Sequence, residues 1–142
     1  MIANGGLQCP VTFLMTDQAP VCERVMDQKV SHEMLHMLEA VLETGGTGTE
    51  ARVDGYHIAG KTGTARIASA HGYYQYRHMA SFVGIAPVSN PQLVVAVVIR
   101  NPIEGYYGGL ISAPAFSKIM KGALAALNVP PDNLQDDDGK KK

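Results

Sequence analysis

A near-continuous apolar run, Leu93–Ile99, constrains the fold of this chain more than any other feature of its sequence. The run is far shorter than the roughly 20 residues that a membrane-spanning helix needs, and continuous apolar character is typical of a strand covered on both faces. A second apolar stretch, Met79–Ala86, precedes it, and the short link over residues 87–92 is rich in turn-forming residues. We therefore expect strands at Met79–Ala86 and Leu93–Arg100, paired as an antiparallel hairpin.

Two further stretches have the apolar spacing of amphipathic helices. Residues 31–43 place apolar side chains on one face, with Ser31 as the expected N-cap. A second helix is expected from about Ala113 to Asn128, with Ser112 as its N-cap and a proline pair directly after its end.

The segment between the helices adds a third strand. Tyr56–Ala65 is predicted to be a strand, followed over residues 66–78 by a long loop rich in aromatic and basic side chains. Nearer the N-terminus, Val11–Met15 is expected to be a short strand. The order helix, three strands, helix predicts an α+β fold in which antiparallel strands are flanked by helices.

Composition excludes several classes of protein. The 142 residues include 12 Lys and Arg against 13 Asp and Glu, so the chain lacks the basic face of a nucleic-acid-binding or polybasic membrane-surface protein. The N-terminus lacks the features of a secretory signal and resembles a helix end capped by Gly5 and Gly6, from which we expect further sequence upstream. Cys9 and Cys22 are compatible with a disulfide or with free thiols.

The motif HExxH occurs at His32, Glu33 and His36. On a helix the two histidines would share one face and could bind zinc, with Glu33 activating a metal-bound water. A zinc peptidase also needs a third ligand, and Glu39 on the same helix is not placed to complete a site that includes His32. We therefore expect these residues to lie on an exposed helix face, with no metal bound.

The string Lys61-Thr62-Gly63-Thr64 combines features that suit anion recognition. Lys61 supplies a cation, and Thr62 and Thr64 alternate along a strand, so both hydroxyls point to the same side. Gly63 removes a side chain where the backbone of a ligand must approach, which makes it a candidate substrate-binding residue. Such a strand edge can bind a carboxylate and pair with an extended peptide, although a strand can also simply end in small polar residues.

K-T-G is also the third signature of penicillin-binding proteins and class A β-lactamases. The longer string around it, residues 55–102, resembles the end of the transpeptidase domain of division-specific class B penicillin-binding proteins, the FtsI family. Residues 106–133 are similar to that family's C-terminal helix and its lead-in, and residues 1–30 to the segment before the first helix. The resemblance covers nearly the whole chain.

The resemblance implies roles at matching positions. Lys61 would line the active site and tune proton transfer, and the hydroxyls of Thr62 and Thr64 would hold the carboxylate of the substrate peptide or of a β-lactam. The backbone N–H of Thr64 would supply half of the oxyanion hole. Tyr106 and Tyr107 match an aromatic pair that flanks bound β-lactam in relatives.

The sequence also departs from the family. No serine is followed by lysine three positions later, and neither S-x-N nor S-x-D occurs, so the nucleophile is not in this polypeptide. The resemblance implies the C-terminal portion of the penicillin-binding protein/serine β-lactamase-like fold, with an incomplete sheet that leaves Leu93–Arg100 with an open apolar edge. We expect residues 1–130 to be a transpeptidase-domain fragment, inactive alone, and residues 131–142 to be a disordered polar tail.

By resemblance, the parent protein would cross-link septal peptidoglycan through an acyl-enzyme with a D-Ala-D-Ala stem peptide and would bind β-lactams. It would need no cofactor and would work with division proteins at the periplasmic face of the inner membrane, on an anchor that this chain lacks. The alternatives are a serine β-lactamase or D,D-carboxypeptidase of the same fold, the zinc peptidase, and a non-catalytic interaction module.

Overall fold

The computed structural model describes residues 1–15 and 17–134. A three-stranded antiparallel sheet in the order β3-β4-β5 lies between two helices, and a separate two-residue strand pair lies near the N-terminus. The strands are β1 (Leu7–Gln8), β2 (Glu23–Arg24), β3 (Ala59–Ser69), β4 (Gly72–Ala86) and β5 (Leu93–Arg100), and the helices are α1 (Gln28–Glu39) and α2 (Gly108–Ala126). The α+β prediction with antiparallel strands flanked by helices is confirmed.

The predicted β4–β5 hairpin is also confirmed. The two strands pair antiparallel from Met79 opposite Arg100 to Ala86 opposite Leu93. Within the described residues β3 and β5 are the two edges of this sheet, so each has one unpaired side.

The segment that links β3 to β4 differs from its prediction. Residues 66–78 do not form a long loop, because β3 continues to Ser69 and β4 begins at Gly72, with an irregular register between Arg66 and Ala68. Tyrosines favour extended backbone, but most side chains of this extension are exposed, with Ile67 the buried exception, so it lacks the apolar alternation by which a half-buried strand is recognised. At its other end β3 begins at Ala59 rather than at Tyr56.

Both helices begin earlier than predicted. α1 begins at Gln28, and the carboxylate of Asp27 caps it by accepting a hydrogen bond from the N–H of Lys29 at 2.7 Å. Ser31, the predicted cap, is buried inside the helix and its hydroxyl donates to the carbonyl of Ile2 at 2.7 Å. The first turn of α1 is polar apart from the exposed Val30, so apolar spacing does not mark its start.

α2 begins at Gly108 rather than at Ala113, with Tyr107 as its N-cap. Ser112, the predicted cap, is therefore inside the helix and fully buried. Glycine has a low helix propensity, so the pair Gly108-Gly109 does not predict a helical turn here. The helix ends at Ala126, close to the predicted end.

The two helices cover opposite faces of the sheet. Phe82 on β4 packs on Phe116 of α2 with ring centroids 4.7 Å apart, and Ile85, which points to the other face, packs with Leu35 of α1. The main core lies on the α2 side and contains Leu42, Ala51, Val53, Ile58, Phe82, Ala86, Ala113, Phe116, Met120 and Leu124.

β5 is covered on only one face within the described residues, which differs from the expectation of burial on both. Its side chains alternate between half-buried and exposed along the whole strand. Val94 is 59% exposed, Val98 is 56% exposed, and the neighbouring Val83 on β4 is 43% exposed. Within the described residues, the face on which α1 packs therefore keeps an apolar patch that α1 leaves uncovered.

The N-terminal segment is held by covalent and backbone contacts. Cys9 and Cys22 form a disulfide, which settles the alternative that the sequence left open. The predicted strand at Val11–Met15 is wrong: its side chains are exposed, and the strands β1 and β2 lie on either side of it. Gly5 does cap a short helical turn, Ile2–Asn4, with a left-handed backbone.

The C-terminal boundary also shifts. The expected disordered tail from residue 131 includes Asp132, but the carboxylate of Asp132 accepts hydrogen bonds from the N–H of His57 at 2.8 Å and the hydroxyl of Ser89 at 2.7 Å. These bonds tie the chain after α2 to the sheet, and the rest of the predicted tail, residues 135–142, lies outside the described residues. Across the part that the structure describes, neither helix has the length and apolar character needed to cross a membrane.

Candidate active-site strand

The residues singled out by sequence lie in the first half of β3, on the edge strand of the sheet. The side chain of Lys61 bends along the strand, and its ammonium donates to the hydroxyl of Thr62 at 3.0 Å and to the carbonyl of Thr62 at 3.2 Å. Thr62 and Thr64 both border one cleft, as their alternation predicted. A cation and two hydroxyls therefore meet at an exposed strand edge.

A loop before β3 contributes a hydroxyl that the sequence analysis missed. The hydroxyl of Thr62 donates to the hydroxyl of Thr47 at 3.1 Å. Thr47 lies in the glycine-rich stretch after α1, where the sequence carries no motif that marks a functional residue. Because the proton of Thr62 is engaged with Thr47, Thr62 must release that bond before it can donate to a ligand.

The N-terminus of α2 organises the other threonine. The backbone N–H of Gly108 donates to the hydroxyl oxygen of Thr64 at 3.2 Å. A hydroxyl that accepts a bond in this way keeps its own proton free to donate. Thr64 is therefore the threonine of the pair that is better prepared to donate to an anion.

Two glycines allow α2 to come this close to β3. A Cβ on Gly108 would overlap the carbonyl oxygens of Gly63 and Ser81, and a Cβ on Gly109 would overlap the carbonyl oxygen of Thr47. The overlapped atoms belong to the backbone, so they cannot rotate away. Gly108 and Gly109 are thus required for the close contact between α2, β3 and the loop at Thr47.

Gly63 also has a close neighbour inside the sheet. A Cβ at this position would overlap the hydroxyl of Ser81 on the neighbouring strand β4. The sequence motif predicts that this glycine admits the backbone of a ligand. The structure adds a second reason, the contact of β3 with β4 and with the start of α2.

An aromatic cluster stands beside this strand. Tyr106 and Tyr107 lie with ring centroids 4.5 Å apart, and the hydroxyl of Tyr106 donates to that of Tyr107 at 3.3 Å. His78 of β4 stacks on Tyr106 at 4.4 Å, with the ring planes 19° apart. His78 was not singled out by sequence, since it fell in the predicted loop. It joins the aromatic pair to the β3–β4 hairpin.

The tyrosine pair alters the acidity of Tyr106. The hydrogen bond to Tyr107, together with repulsion between the two phenolates, raises the pKa of Tyr106 above its ordinary value of 10.0. Arg66 acts weakly in the opposite direction. The raised pKa keeps the Tyr106 phenol in its neutral, hydrogen-bonding form at neutral pH.

These elements enclose a cleft of about 380 Å³ behind the strand. Its lining combines hydroxyl groups with the start of α2 and comprises Gly46, Thr47, Thr49, Glu50, Thr62, Thr64, Tyr107, Gly108, Gly109 and Leu110. A larger cleft of about 820 Å³ lies between the N-terminal turn and α1, and none of the predicted site residues lines it. The chemistry of the side chains, rather than cleft size, makes the smaller one the candidate site.

The zinc-peptidase arrangement is not formed. Among residues 1–15 and 17–134, no three His, Cys, Asp or Glu side chains converge on a point that could hold a metal ion. Glu33 instead lies 3.9 Å from Lys29 on the exposed surface of α1. The prediction that these residues lie on an exposed helix face is confirmed.

The fold and the strand edge together define a known class of domain. The profile described as "Penicillin binding protein transpeptidase domain" matches residues 1–121. The chain therefore belongs to the penicillin-binding protein transpeptidase family.

Individual relatives agree with this assignment. The chain is 47% identical over 137 residues to the probable peptidoglycan D,D-transpeptidase PbpC of Pseudomonas aeruginosa, covering 96% of this chain and 24% of the relative. It is 40% identical over 134 residues to the peptidoglycan D,D-transpeptidase FtsI of Escherichia coli, covering 94% of this chain and 23% of the relative. The chain thus spans about a quarter of the length of these curated relatives.

A solved structure of a transpeptidase domain has the same fold. The apo TP domain of penicillin-binding protein 3 from Burkholderia pseudomallei superposes with a TM-score of 0.82 and 43% identity, covering 92% of this chain and 40% of that one. The resemblance to the FtsI family stated from the sequence is confirmed. So is the prediction of a penicillin-binding protein transpeptidase fold with an incomplete sheet.

Proposed function

We propose that this chain is the C-terminal part of a serine D,D-transpeptidase that cross-links septal peptidoglycan and is acylated by β-lactams. Its contribution is the strand that holds the carboxylate of the donor peptide. The names of the relatives favour this activity over the β-lactamase or carboxypeptidase of the same fold. The proposed site of action is the periplasmic face of the inner membrane, together with division proteins.

The arrangement of Lys61, Thr62 and Thr64 carries this proposal. The D-Ala-D-Ala terminus of a stem peptide and the β-lactam core both present a carboxylate beside the carbonyl that reacts. An ammonium and two hydroxyls at an exposed edge match such a group, because hydrogen bonds to an ionised acceptor are the strong ones. The unpaired side of β3 also suits pairing with an extended peptide.

The proposed reaction needs a serine from another part of the parent protein. The serine oxygen would attack the carbonyl of the penultimate D-Ala, forming an ester and releasing the terminal D-Ala. An amine from a second stem peptide would then attack the ester, forming the cross-linking amide and freeing the serine. The N–H of Thr64 would stabilise the negative oxygen in both steps, and Lys61 would assist proton transfer.

A chimera tests this proposal directly. Residues 1–134 would replace the matching segment of the P. aeruginosa relative, and the purified product would be assayed for cross-linking of D-Ala-D-Ala stem peptides. We expect cross-linking in the chimera and a severe loss in its Lys61→Ala variant. The matched control is Thr12→Val, in the N-terminal segment away from β3. A correctly folded chimera that forms no cross-links, or one indifferent to Lys61→Ala, would contradict the proposal.

A further inference from the structure

His32 and His36 lie outside the candidate site, on successive turns of α1. Their Nε2 atoms are 3.0 Å apart, and the rings meet edge to face with centroids 4.5 Å apart. Both side chains are exposed. The two nitrogens therefore face each other on a surface that an ion can reach.

The spacing suits a chelated metal ion. Nitrogen ligands bind zinc at about 2.0–2.1 Å, so two nitrogens 3.0 Å apart can both reach one ion, with an angle of about 95° at the metal. A small rotation of either ring opens this angle to the tetrahedral value. Imidazole is a ligand that zinc, nickel and copper ions prefer.

A carboxylate lies beside one of these rings. Nδ1 of His36 lies 3.4 Å from Oε2 of Glu39, and the other oxygen of Glu39 contacts Nδ1 of His57. A carboxylate beside Nδ1 favours the tautomer with the proton on Nδ1, so that Nε2 of His36 carries the lone pair. That lone pair accepts the hydrogen bond from Nε2–H of His32 in this structure, and a metal ion takes its place when the proton of His32 moves to Nδ1. The half-buried Glu39 is thus placed as a positioning residue behind His36.

We propose that His32 and His36 bind one divalent transition-metal ion of the zinc class through both Nε2 atoms. Glu39 positions His36, and water completes the coordination. With two protein ligands and no third among the described residues, this is a surface site and not a peptidase centre. Because the ion clamps two turns of α1, binding stabilises the folded helix. The proposal does not depend on the proposed transpeptidase function.

Calorimetry with ZnCl₂ tests the site on the untagged, oxidised 142-residue chain, in which the Cys9–Cys22 disulfide removes thiol ligands. We expect saturable binding of about one zinc ion per chain, weakened at least tenfold in His32→Ala. His32→Ala is the main variant because it leaves the contacts of Glu39 in place. His71→Ala, at the exposed turn of the β3–β4 hairpin, is the matched control and should bind as the unaltered chain does.

The acidic run Asp136–Asp138 provides a second control, because carboxylates can also bind cations. Its replacement by asparagine should leave zinc affinity unchanged. Zinc binding that survives His32→Ala but is lost in the asparagine variant would overturn the proposal. The absence of saturable binding to the unaltered chain would overturn it too.

Glu39→Gln tests the positioning role. We expect zinc affinity to fall about tenfold, as for other residues that orient a metal ligand. Long-range proton–nitrogen NMR spectra should at the same time show His36 moving away from the tautomer protonated at Nδ1. A loss of helix stability alone would not change that tautomer. An unaltered tautomer with unaltered zinc affinity would show that Glu39 has no such role.

Discussion

The hydroxyls of Thr62 and Thr64 differ in their readiness to bind an anion. The hydroxyl of Thr64 accepts a hydrogen bond from the N–H of Gly108, so its own proton remains available for a ligand. The hydroxyl of Thr62 already donates a hydrogen bond to the hydroxyl of Thr47. Sequence alone presents the two threonines as equivalent, since they share a strand face. Their neighbours, which come from two distant segments of the chain, separate their roles.

We therefore expect Thr64→Val to slow acylation of the chimera by penicillin more than Thr62→Val does. Loss of a hydrogen bond to a charged group costs about 1.5–3 kcal/mol, or roughly 10- to 100-fold in rate if it is made in the transition state. Second-order acylation rates for the two variants give the comparison. Equal rates, or a larger effect of Thr62→Val, would contradict the assigned difference.

The tyrosine pair makes a second prediction at this scale. The pKa of Tyr106 is raised mainly by its hydrogen bond to Tyr107, so Tyr107→Phe should lower it towards 10.0. The neutral phenol is the form that the folded state favours, and this preference is lost as the pH rises through the raised pKa. Titration of the ring ¹³Cζ resonance of Tyr106 measures the shift, with Tyr73→Phe as control.

Among the elements, α2 depends most on single small residues. Gly108 and Gly122 lie in the same helix, but a Cβ on Gly108 would overlap backbone atoms whereas a Cβ on Gly122 would meet open space. Gly108→Ala should destabilise the chain by about 1–3 kcal/mol, the usual cost of overpacking. Gly122→Ala should stabilise it by about 0.5–1 kcal/mol, through helix propensity.

Urea denaturation of both variants measures these changes in the free energy of unfolding. Each variant controls for the other, because both replace glycine by alanine in the same helix and the expected changes in the free energy of unfolding have opposite signs. A neutral Gly108→Ala would contradict the close contact between α2 and β3. Such a result would also weaken the argument that Gly108 orients Thr64.

The strands and the helices were predictable to different degrees. The β4–β5 hairpin could be predicted from two apolar stretches and a short turn, because buried strands require apolar residues and these are visible in the sequence. The β3–β4 extension was missed because Tyr73 and Tyr76 point to solvent and leave no apolar alternation. The starts of α1 and α2 were missed because Asp27 and Gly108 act through capping and close packing, which apolar spacing does not report.

The site could be predicted in part for the same reason. Lys61, Thr62 and Thr64 are adjacent in sequence, so their strand motif was visible before the fold. Thr47 and Gly108 are distant from it in sequence and reach it only through the packing of a loop and a helix against β3. Contacts of that kind have no local signal.

For the whole molecule, the uncovered face and edge of β5 are the main liability. Val94 and Val98 stay more than half exposed beside a strand edge that no other described strand pairs with, and such an edge is a template for association with another chain. We expect the isolated chain to associate as its concentration rises. Val98→Lys should reduce this association, because charged residues at an edge oppose pairing.

Sedimentation velocity over a range of concentrations measures this association. Val25→Lys is the matched control, since Val25 is also exposed but lies beside β2 and away from β5. Association that is unaffected by Val98→Lys, or equally reduced by both variants, would show that the β5 edge is not responsible.

Intact-mass spectrometry after exposure to benzylpenicillin tests the central claim most directly, that this chain carries the carboxylate-binding strand of a transpeptidase whose nucleophile lies elsewhere. The isolated chain and the chimera would be measured side by side. We predict one covalent adduct on the chimera, greatly slowed by Thr64→Val, and none on the isolated chain. A stable adduct on the isolated chain, or a folded chimera that is never acylated, would contradict the account.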